Sequence, residues 1–231
     1  MLRINFKDFE VFRLRVREKW LNQFKNFWWG DRLDSRFLAL YYLKGLNGKK
    51  VLDVGCSCGV ALEELSCTNL KVGFDMSTRL VKIAKELNNN LATILRADMH
   101  HIPAKCEAFD EVMLFGMLEV LPTIEDKKRC LNEILRVLKK EGELVITAQN
   151  KNYFCPLDKT NKVDYGTLKS LLTLDWDYKI FGFNPVPSFP YFLPNFIQDK
   201  IPFIWRVLVY LMNRDMFVNR CRSFIVIAKK K

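Results

Sequence analysis

The stretch VLDVGCSCG, residues 51–59, decides the fold of this chain, because it joins an apolar run to a turn bounded by Gly55 and Gly59. The apolar run predicts a buried strand over Lys50–Val54, and the residues after the turn predict a helix. Glycine lets the backbone turn tightly and approach a ligand without an intervening side chain. A strand, such a turn and a helix in this order are typical of a site that holds a nucleotide-like ligand.

The hydrophobic pattern alternates between strand-like and helix-like segments from residue 50 to residue 150, and less regularly beyond. The later predicted strands are 70–74, 92–95, 111–115, 143–148, 178–183 and 223–228. The predicted helices are 59–65, a helix that Ser77 caps, 124–140 and 165–172. In the third of these helices, Lys139 and Lys140 lie at the C-terminal end, where positive charge is favourable, and Gly142 is expected to break the helix. This alternation predicts an α/β fold with a Rossmann-like, mostly parallel seven-stranded sheet and helices on both faces.

We expect a single domain over residues 1–231, because a chain of this length supports one sizeable core with attachments. An N-terminal helical cap is predicted at 1–48, where aromatic residues recur at three- and four-residue spacing. Residues 49–150 form the predicted ligand-binding core, and 151–231 supply the C-terminal strands with an apolar insertion before the last strand. The apolar run 201–212 within that insertion is interpreted as a buried helix, with a lid or a membrane-surface contact as alternatives.

The formal net charge of +11 is concentrated in the two flanks of the chain. Residues 1–50 carry twelve Lys and Arg against five Asp and Glu, residues 151–231 carry thirteen against six, and residues 51–150 carry twelve against fifteen. Basic flanks favour an anionic partner, either RNA or an anionic membrane surface, although a solvated basic surface accounts for the same charge. The sequence predicts no particular oligomeric state.

The composition indicates a cytoplasmic protein, with peripheral attachment to a membrane left open. The chain has no run of about eighteen uncharged apolar residues, and its N-terminus lacks the apolar core and cleavage site of a signal peptide. Its seven cysteines are odd in number and scattered, as in a reducing compartment. Cys56 and Cys58 have no second Cys/His pair at zinc-like spacing, so we interpret them as small loop residues and expect no metal site.

An acidic residue follows the loop at a spacing that suits a nucleotide. Asp75 lies twenty residues after Gly55, at the end of the second predicted strand, where its carboxylate can accept hydrogen bonds from both hydroxyls of a ribose. Residues 50–150 resemble the class I, Rossmann-like methyltransferases that use S-adenosylmethionine (SAM), and within them the branch that includes the quinone-biosynthesis enzymes. The segments that carry the resemblance are VLDVGCSCG (51–59), VGFDMS (72–77), RADMHHIP (96–103), FDEVMLFGMLEVLP (109–122) and LNEILRVLKKEGELVIT (131–147).

The resemblance implies SAM as the cofactor and a set of residues that bind it at the carboxyl ends of the predicted strands. For the methionine end of SAM, these are Asp53 and the loop residues Gly55, Cys56, Ser57 and Gly59. For the ribose and adenine they are Asp75, Met76, Asp98, which accepts from the adenine amino group, and the backbone of Met99. Phe115, which ends the fourth predicted strand, is implied to lie near the sulfonium.

Two positions depart from the family pattern. The central glycine of the family's Gly-x-Gly-x-Gly loop is Ser57 here, and serine costs stability at that position if the backbone adopts a positive φ. The histidine that often follows the family's Leu-Glu pair is Val120, so no base can be borrowed from it. His100, His101 and Glu119 are candidates for a general base. For the two histidines a surface position is the favoured interpretation, whereas for Glu119 a role in capping or orienting its own helix explains the residue equally well.

We expect the chain to transfer the methyl group of SAM to an acceptor by in-line displacement. The flanks, which build the acceptor side of similar enzymes, are rich in Phe, Trp and Pro and favour a small, lipophilic or aromatic acceptor. An RNA methyltransferase is one alternative, because of the basic flanks. A non-catalytic SAM-binding partner protein is the other, although Asp53, Asp75 and Asp98 are all present. The acceptor and the atom that receives the methyl group are not predicted.

Overall fold

The computed structural model describes residues 34–43, 47–65, 70–89, 91–152, 161–183 and 221–231, and the single positions 8, 11 and 16. The described helices are α1 (Asp34–Leu43), α2 (Val60–Glu64), α3 (Thr78–Asn88), α4 (Ile124–Val137) and α5 (Tyr165–Leu171). The strands are β1 (Lys50–Val54), β2 (Leu70–Asp75), β3 (Thr93–Arg96), β4 (Phe109–Phe115), β5 (Leu138–Gln149), β6 (Trp176–Phe183) and β7 (Ser223–Lys230). Most of the predicted N-terminal cap and the whole apolar run 201–212 lie outside the described residues.

The strands form one sheet in the order β3-β2-β1-β4-β5-β7-β6. The first five strands in this order are parallel to one another, whereas β7 runs antiparallel to both β5 and β6. The expected mostly parallel, seven-stranded Rossmann-like sheet is therefore confirmed. The chain adds β2 and β3 on one side of β1 and then crosses to the other side with β4. In open α/β sheets, ligands bind at the carboxyl ends of the strands beside this reversal of strand order.

Helices cover both faces of the sheet, because successive residues of each strand point to opposite sides. Val51, Met113 and Val145 pack with residues of α1, α2 and α3 on one face. Leu52 and Val112 pack with residues of α4 and α5 on the other face. Because the central strands are buried on both sides, their sequences are mostly apolar and do not show regular alternation of apolar and polar residues.

The helix predicted over 124–140 is wrong at its C-terminal end. α4 ends at Val137, and the backbone is already extended at Leu138 (φ −80°, ψ 134°), where β5 begins. Leu138 pairs in parallel with Phe109 of β4, so the neighbouring strand captures a segment whose local pattern is compatible with a helix. Gly142 consequently lies within β5 and does not end a helix.

Lys139 and Lys140 belong to β5 and are not the last residues of a helix. Lys139 Nζ lies 2.7 Å from Asp110 Oδ1 of β4, so this lysine joins two neighbouring strands. The Lys50 backbone N–H donates to Asp110 Oδ2 at 2.9 Å, which ties β1 to the same carboxylate. Lys139 therefore pairs with an acid on the neighbouring strand. The predicted favourable interaction of Lys139 and Lys140 with the C-terminal end of a helix is not made.

The starts of two helices are fixed by side-chain caps. Ser77 Oγ accepts from the Leu80 N–H at 3.3 Å, which confirms the predicted cap of α3. Thr123 and Asp126 form a capping box at the start of α4, a feature that the sequence analysis missed. The other expected elements, apart from the start of β5, begin and end within two residues of their expected bounds. None of the described helices has the length and apolar character needed to cross a bilayer.

Candidate functional site

The loop after β1 has no room for side chains at its two glycines. Gly55 and Gly59 have φ angles of 75° and 79°, in the left-handed region that favours glycine. A Cβ at Gly55 would collide with the Met117 side chain, and a Cβ at Gly59 would collide with Asn88 Nδ2. The Gly55 N–H donates to Phe74 O at 3.0 Å, so the loop is held at the carboxyl end of β2. Both glycines of the sequence motif are thus required by the backbone and by its surroundings.

Asp75, the last residue of β2, is anchored by two backbone donors. Its Oδ2 accepts from the Ser57 N–H at 3.1 Å, and its Oδ1 accepts from the Ser77 N–H at 2.9 Å. The residue is partly exposed. Because each carboxylate oxygen can accept more than one hydrogen bond, both oxygens keep acceptor capacity for a ligand hydroxyl. The cofactor loop and the acid predicted to bind ribose therefore form one connected unit.

Asp53, in β1, is only 2% exposed. Burial and then the negative charge of Asp75 raise the pKa of Asp53 to about 7, and the Arg36 guanidinium opposes this rise. Two nearby acids, one of them titrating near neutrality, favour a ligand that brings positive charge. The ammonium group of the methionine end of SAM meets this requirement, so the residues present fit the predicted cofactor.

Arg36 is a site residue that the sequence analysis missed. It belongs to α1, and its guanidinium lies over Gly116, where a Cβ would collide with Arg36 Nη2. Gly116 has a φ angle of 65° and directly follows β4. α1 therefore brings a cation to the carboxyl end of β4, beside the reversal of strand order. The contact joins segments far apart in the sequence, and no local motif marks the arginine.

Glu119 connects the loop after β4 to the end of β5. It is 7% exposed, and its Oε1 accepts from the Gln149 N–H. Burial raises the pKa of Glu119, while the positive charges of Arg36 and Lys127 oppose the rise. Its Oε2 is buried and has no hydrogen-bond partner within the described part of the chain. Glu119 lies in a turn and not in a helix, so it does not cap or orient a helix of its own, and its bond instead ties that turn to β5.

Asp98 and His100 contact each other in the loop after β3. Asp98 Oδ1 accepts from the His100 backbone N–H at 2.9 Å and lies 3.0 Å from His100 Nδ1. The backbone donor, with a further contribution from the ring, lowers the pKa of Asp98. Met99 is 6% exposed, whereas His101 is on the surface. The His101 backbone N–H donates to the Asp98 carbonyl oxygen at 3.1 Å, but of the two histidine rings it is that of His100 that lies against the Asp98 carboxylate.

Met76 and Phe115 differ in their exposure. Met76, directly after β2, is 58% exposed, so its side chain is available to pack against a flat ligand such as adenine. Phe115, at the end of β4, is 8% exposed and pairs with Thr147 of β5. Both residues lie along the carboxyl edge of the parallel strands, as do Asp53, Asp75 and the loops after β1 and β3. The sequence predicts this position for them.

The two loop cysteines are buried. Cys56 and Cys58 are 5% and 1% exposed, and burial raises the pKa of both thiols. Neutral, buried thiols support their interpretation as small loop residues. Among the residues that the structure describes, no group of three or more His, Cys, Asp and Glu side chains could hold a metal ion.

Replacement of Ser57 by glycine is expected to stabilise the protein. Ser57 has a φ angle of 52°, so the condition for backbone strain at this departure from the family loop is met. Left-handed backbone costs a non-glycine residue about 1–2 kcal/mol, and the greater unfolded-chain entropy of glycine offsets part of the gain. We expect the free energy of unfolding to rise by about 0.5–1 kcal/mol, as measured by urea unfolding without ligand. A decrease would show that the serine hydroxyl makes a stabilising contact that outweighs the strain.

Comparisons with known proteins agree on the type of domain. The family described as "Methyltransferase domain" matches residues 52–146. An uncharacterized protein of Methanocaldococcus jannaschii is 30% identical over 176 residues, which cover 75% of this chain and 73% of that protein. The ubiquinone biosynthesis O-methyltransferase of Haemophilus ducreyi is 34% identical over 116 residues, which cover 46% of this chain and 48% of that protein. This chain thus spans about half the length of that curated relative.

A solved structure has the same fold as the described part of this chain. The crystal structure of a SAM-dependent methyltransferase from Thermotoga maritima matches with a TM-score of 0.62 and 15% identity. The match covers 94% of this chain and 99% of that chain. At this level of identity, the likeness concerns the fold alone.

Proposed function

This chain belongs to the class I SAM-dependent methyltransferases, and we propose that it transfers the methyl group of SAM to a small, lipophilic or aromatic acceptor. The observation that carries methyl transfer is the pair of acids around the loop after β1. Asp53 is buried and suited to the methionine ammonium, and Asp75 is anchored by backbone N–H groups and suited to the ribose hydroxyls. Between them the backbone of the loop can approach the ligand closely, because Gly55 has no side chain.

The remaining cofactor contacts are assigned from their positions around this pair of acids. Arg36 brings a guanidinium to the same edge of the sheet, where it can bind the carboxylate of SAM. Asp98 keeps one oxygen for the adenine amino group, and the exposed Met76 can pack against the adenine face. Phe115 supplies an apolar wall at the end of β4.

Catalysis in this proposal depends on alignment and on the exclusion of water. SAM supplies, when bound, a methyl group that is already activated by the sulfonium. Holding two reactants in line can lower a barrier by about 7–11 kcal/mol in favourable cases. A general base is required only if the acceptor has to lose a proton. His100, His101 and Glu119 remain the candidates for that role.

Exposed apolar side chains after β4 support a lipophilic acceptor. Val120 is 62% exposed and Ile124 is 45% exposed, and both lie on the segment that leads from Glu119 into α4. Large apolar side chains at the edge of a ligand crevice favour an apolar molecule. The name of the Haemophilus ducreyi relative, a ubiquinone biosynthesis O-methyltransferase, agrees with an acceptor of this kind.

The basic flanks favour a second candidate, methylation of RNA, because each flank carries a clear excess of Lys and Arg. The same charge would also support peripheral attachment of a cytoplasmic enzyme to an anionic membrane. RNA binding would be steeply dependent on salt concentration, whereas binding of a neutral small acceptor would not.

Incubation of the protein with methyl-labelled SAM and a fractionated extract of the source organism tests the proposal. We expect label in the small-molecule or lipid fraction and none with the Asp75→Asn variant. Label in RNA would instead support the second candidate. SAM binding without transfer to any fraction would favour the non-catalytic partner protein, and an absence of SAM binding by calorimetry would overturn both enzyme proposals.

SAM binding is expected to weaken as the pH falls below 7. The pKa of Asp53 in the free protein is about 7, and the protonated carboxyl cannot balance the charge of the ammonium group. Binding that requires the ionised carboxylate should therefore weaken about fivefold to tenfold between pH 7.5 and pH 6, as measured by calorimetry. The Asp53→Asn variant should bind more weakly at both pH values and lose this dependence. An unchanged dependence in that variant would show that another group titrates.

A further inference from the structure

The ring of His100 lies between two carboxylates that belong to different parts of the fold. Its Nδ1 is 3.0 Å from Asp98 Oδ1 in the loop after β3, and its Nε2 is 4.0 Å from Asp126 Oδ1 at the start of α4. We propose that His100 is a positioning residue for adenine recognition, which holds Asp98 in the orientation that accepts the adenine amino group. The inference rests on the proposed function, because it requires SAM as the ligand.

His100 restricts the orientation of the Asp98 side chain. Its side chain is 44% exposed, so a ligand can reach it, but an exposed carboxylate without partners would sample several rotamers. Two donors from His100, the backbone N–H and the ring, meet at one oxygen, Oδ1. They fix the carboxylate plane and leave Oδ2 available. Preorganisation of this kind improves affinity because the ordering is complete before the ligand binds.

His100 is itself held in place by its surroundings. Its side chain is only 20% exposed, and Asp126, which faces Nε2, is fixed by the capping box of α4. Asp126 Oδ2 accepts from Thr123 Oγ1 at 2.6 Å, so the other oxygen, Oδ1, stays directed towards the ring. His100 Nε2 is buried and has no hydrogen-bond partner among the described residues. The ring is therefore confined between a rigid helix start and the adenine-binding acid.

In the hydrogen bond between the His100 ring and Asp98, the ring is the donor. The contact with His100 lowers the pKa of Asp98, so the carboxylate is ionised at neutral pH and can only accept. Nδ1 must then carry the proton, because the donor has to come from the ring. An asparagine at position 100 can place an amide N–H near the same point as Nδ1, whereas alanine cannot. This difference separates the hydrogen bond from the bulk of the ring.

The test compares two ligands with three variants by calorimetry. The ligands are S-adenosylhomocysteine and its purine analogue without the 6-amino group, and the variants are His100→Ala, His100→Asn and the exposed neighbour control His101→Ala. We expect His100→Ala to bind S-adenosylhomocysteine about three- to tenfold more weakly, while its affinity for the analogue stays at the wild-type value. His100→Asn should recover most of the loss, and His101→Ala should behave like the wild type.

Each other result has a distinct meaning. Equal losses for both ligands in His100→Ala would overturn the inference, because a general disturbance of the loop does not distinguish the amino group. An unchanged affinity in His100→Ala, or no recovery in His100→Asn, would also overturn it. If wild-type protein bound neither ligand, the proposed function itself would fail. If His100→Ala did not fold, His100→Leu, which keeps apolar bulk but supplies no donor, would replace it: it should lose discrimination between the two ligands, and wild-type discrimination would overturn the inference.

Discussion

The Asp75→Ala variant is expected to bind SAM about 100-fold more weakly than the wild type. A carboxylate that accepts from two ribose hydroxyls makes two charge-assisted hydrogen bonds, each worth about 1.5 kcal/mol or more. The substitution also removes the acceptor for the Ser57 and Ser77 N–H groups, at 3.1 and 2.9 Å, so the cofactor loop loses its anchor on β2. Isothermal titration calorimetry with SAM at fixed pH measures the loss.

The matched control for Asp75 is Asp177→Ala, because Asp177 is an exposed acid on β6, the outermost strand on the other side of the sheet. This variant removes the same charge and should leave SAM affinity within about twofold of the wild type. Thermal unfolding of both variants separates loss of contact from loss of folded protein. A Kd for Asp75→Ala within threefold of the wild type would contradict the placement of ribose at Asp75.

Replacement of Gly59 by valine is expected to lower the free energy of unfolding by about 3 kcal/mol. The φ angle of 79° costs any non-glycine residue about 1–2 kcal/mol and a β-branched one more. The added side chain would also collide with Asn88 Nδ2 and lie 3.1 Å from Ala84 Cβ. Asn88 cannot move aside freely, since it is fully buried and donates to Gly59 O at 3.1 Å and Ala84 O at 2.9 Å.

Gly166→Ala provides the comparison for this substitution. Gly166 lies in α5, and a Cβ there meets nothing closer than Asp164 Oδ1 at 3.4 Å. Alanine at a helical position of this kind is expected to raise the free energy of unfolding by about 0.5 kcal/mol. Urea unfolding of both variants is the measurement. If the free energy of unfolding of Gly59→Val lay within about 1 kcal/mol of the wild-type value, the loop would be able to adopt another conformation that accommodates valine.

The positions of the predicted acids followed from local pattern. The first apolar run ends at Val54, and β1 has the predicted bounds Lys50–Val54. Asp75 follows the second run and is the last residue of β2. Residues close in the sequence decide where an apolar run ends and where a glycine turn or a helix cap begins. The sequence therefore predicts that these acids lie at the carboxyl edge of the sheet.

The end of α4 could not be predicted in the same way. Residues 138–140 are compatible with the last turn of a helix, and the local pattern predicts a helix that runs to residue 140 and is broken by Gly142. In the structure, Leu138 pairs with Phe109 and Lys139 contacts Asp110, both in β4. The energy that decides the boundary comes from a distant strand, and a window along the sequence does not contain it.

The sequence by itself determined the strands around VLDVGCSCG, the glycine-bounded loop and the acids Asp53 and Asp75, because periodicity, turn conformation and caps act between residues close in the chain. The tertiary structure alone decided the strand order, the start of β5, and the side chains that distant segments bring to the site. Arg36 reaches Gly116 because α1 packs on the sheet, and His100 lies beside Asp126 because α4 starts next to the loop after β3. Such contacts depend on packing between segments that are far apart in the sequence, and only the folded chain defines them.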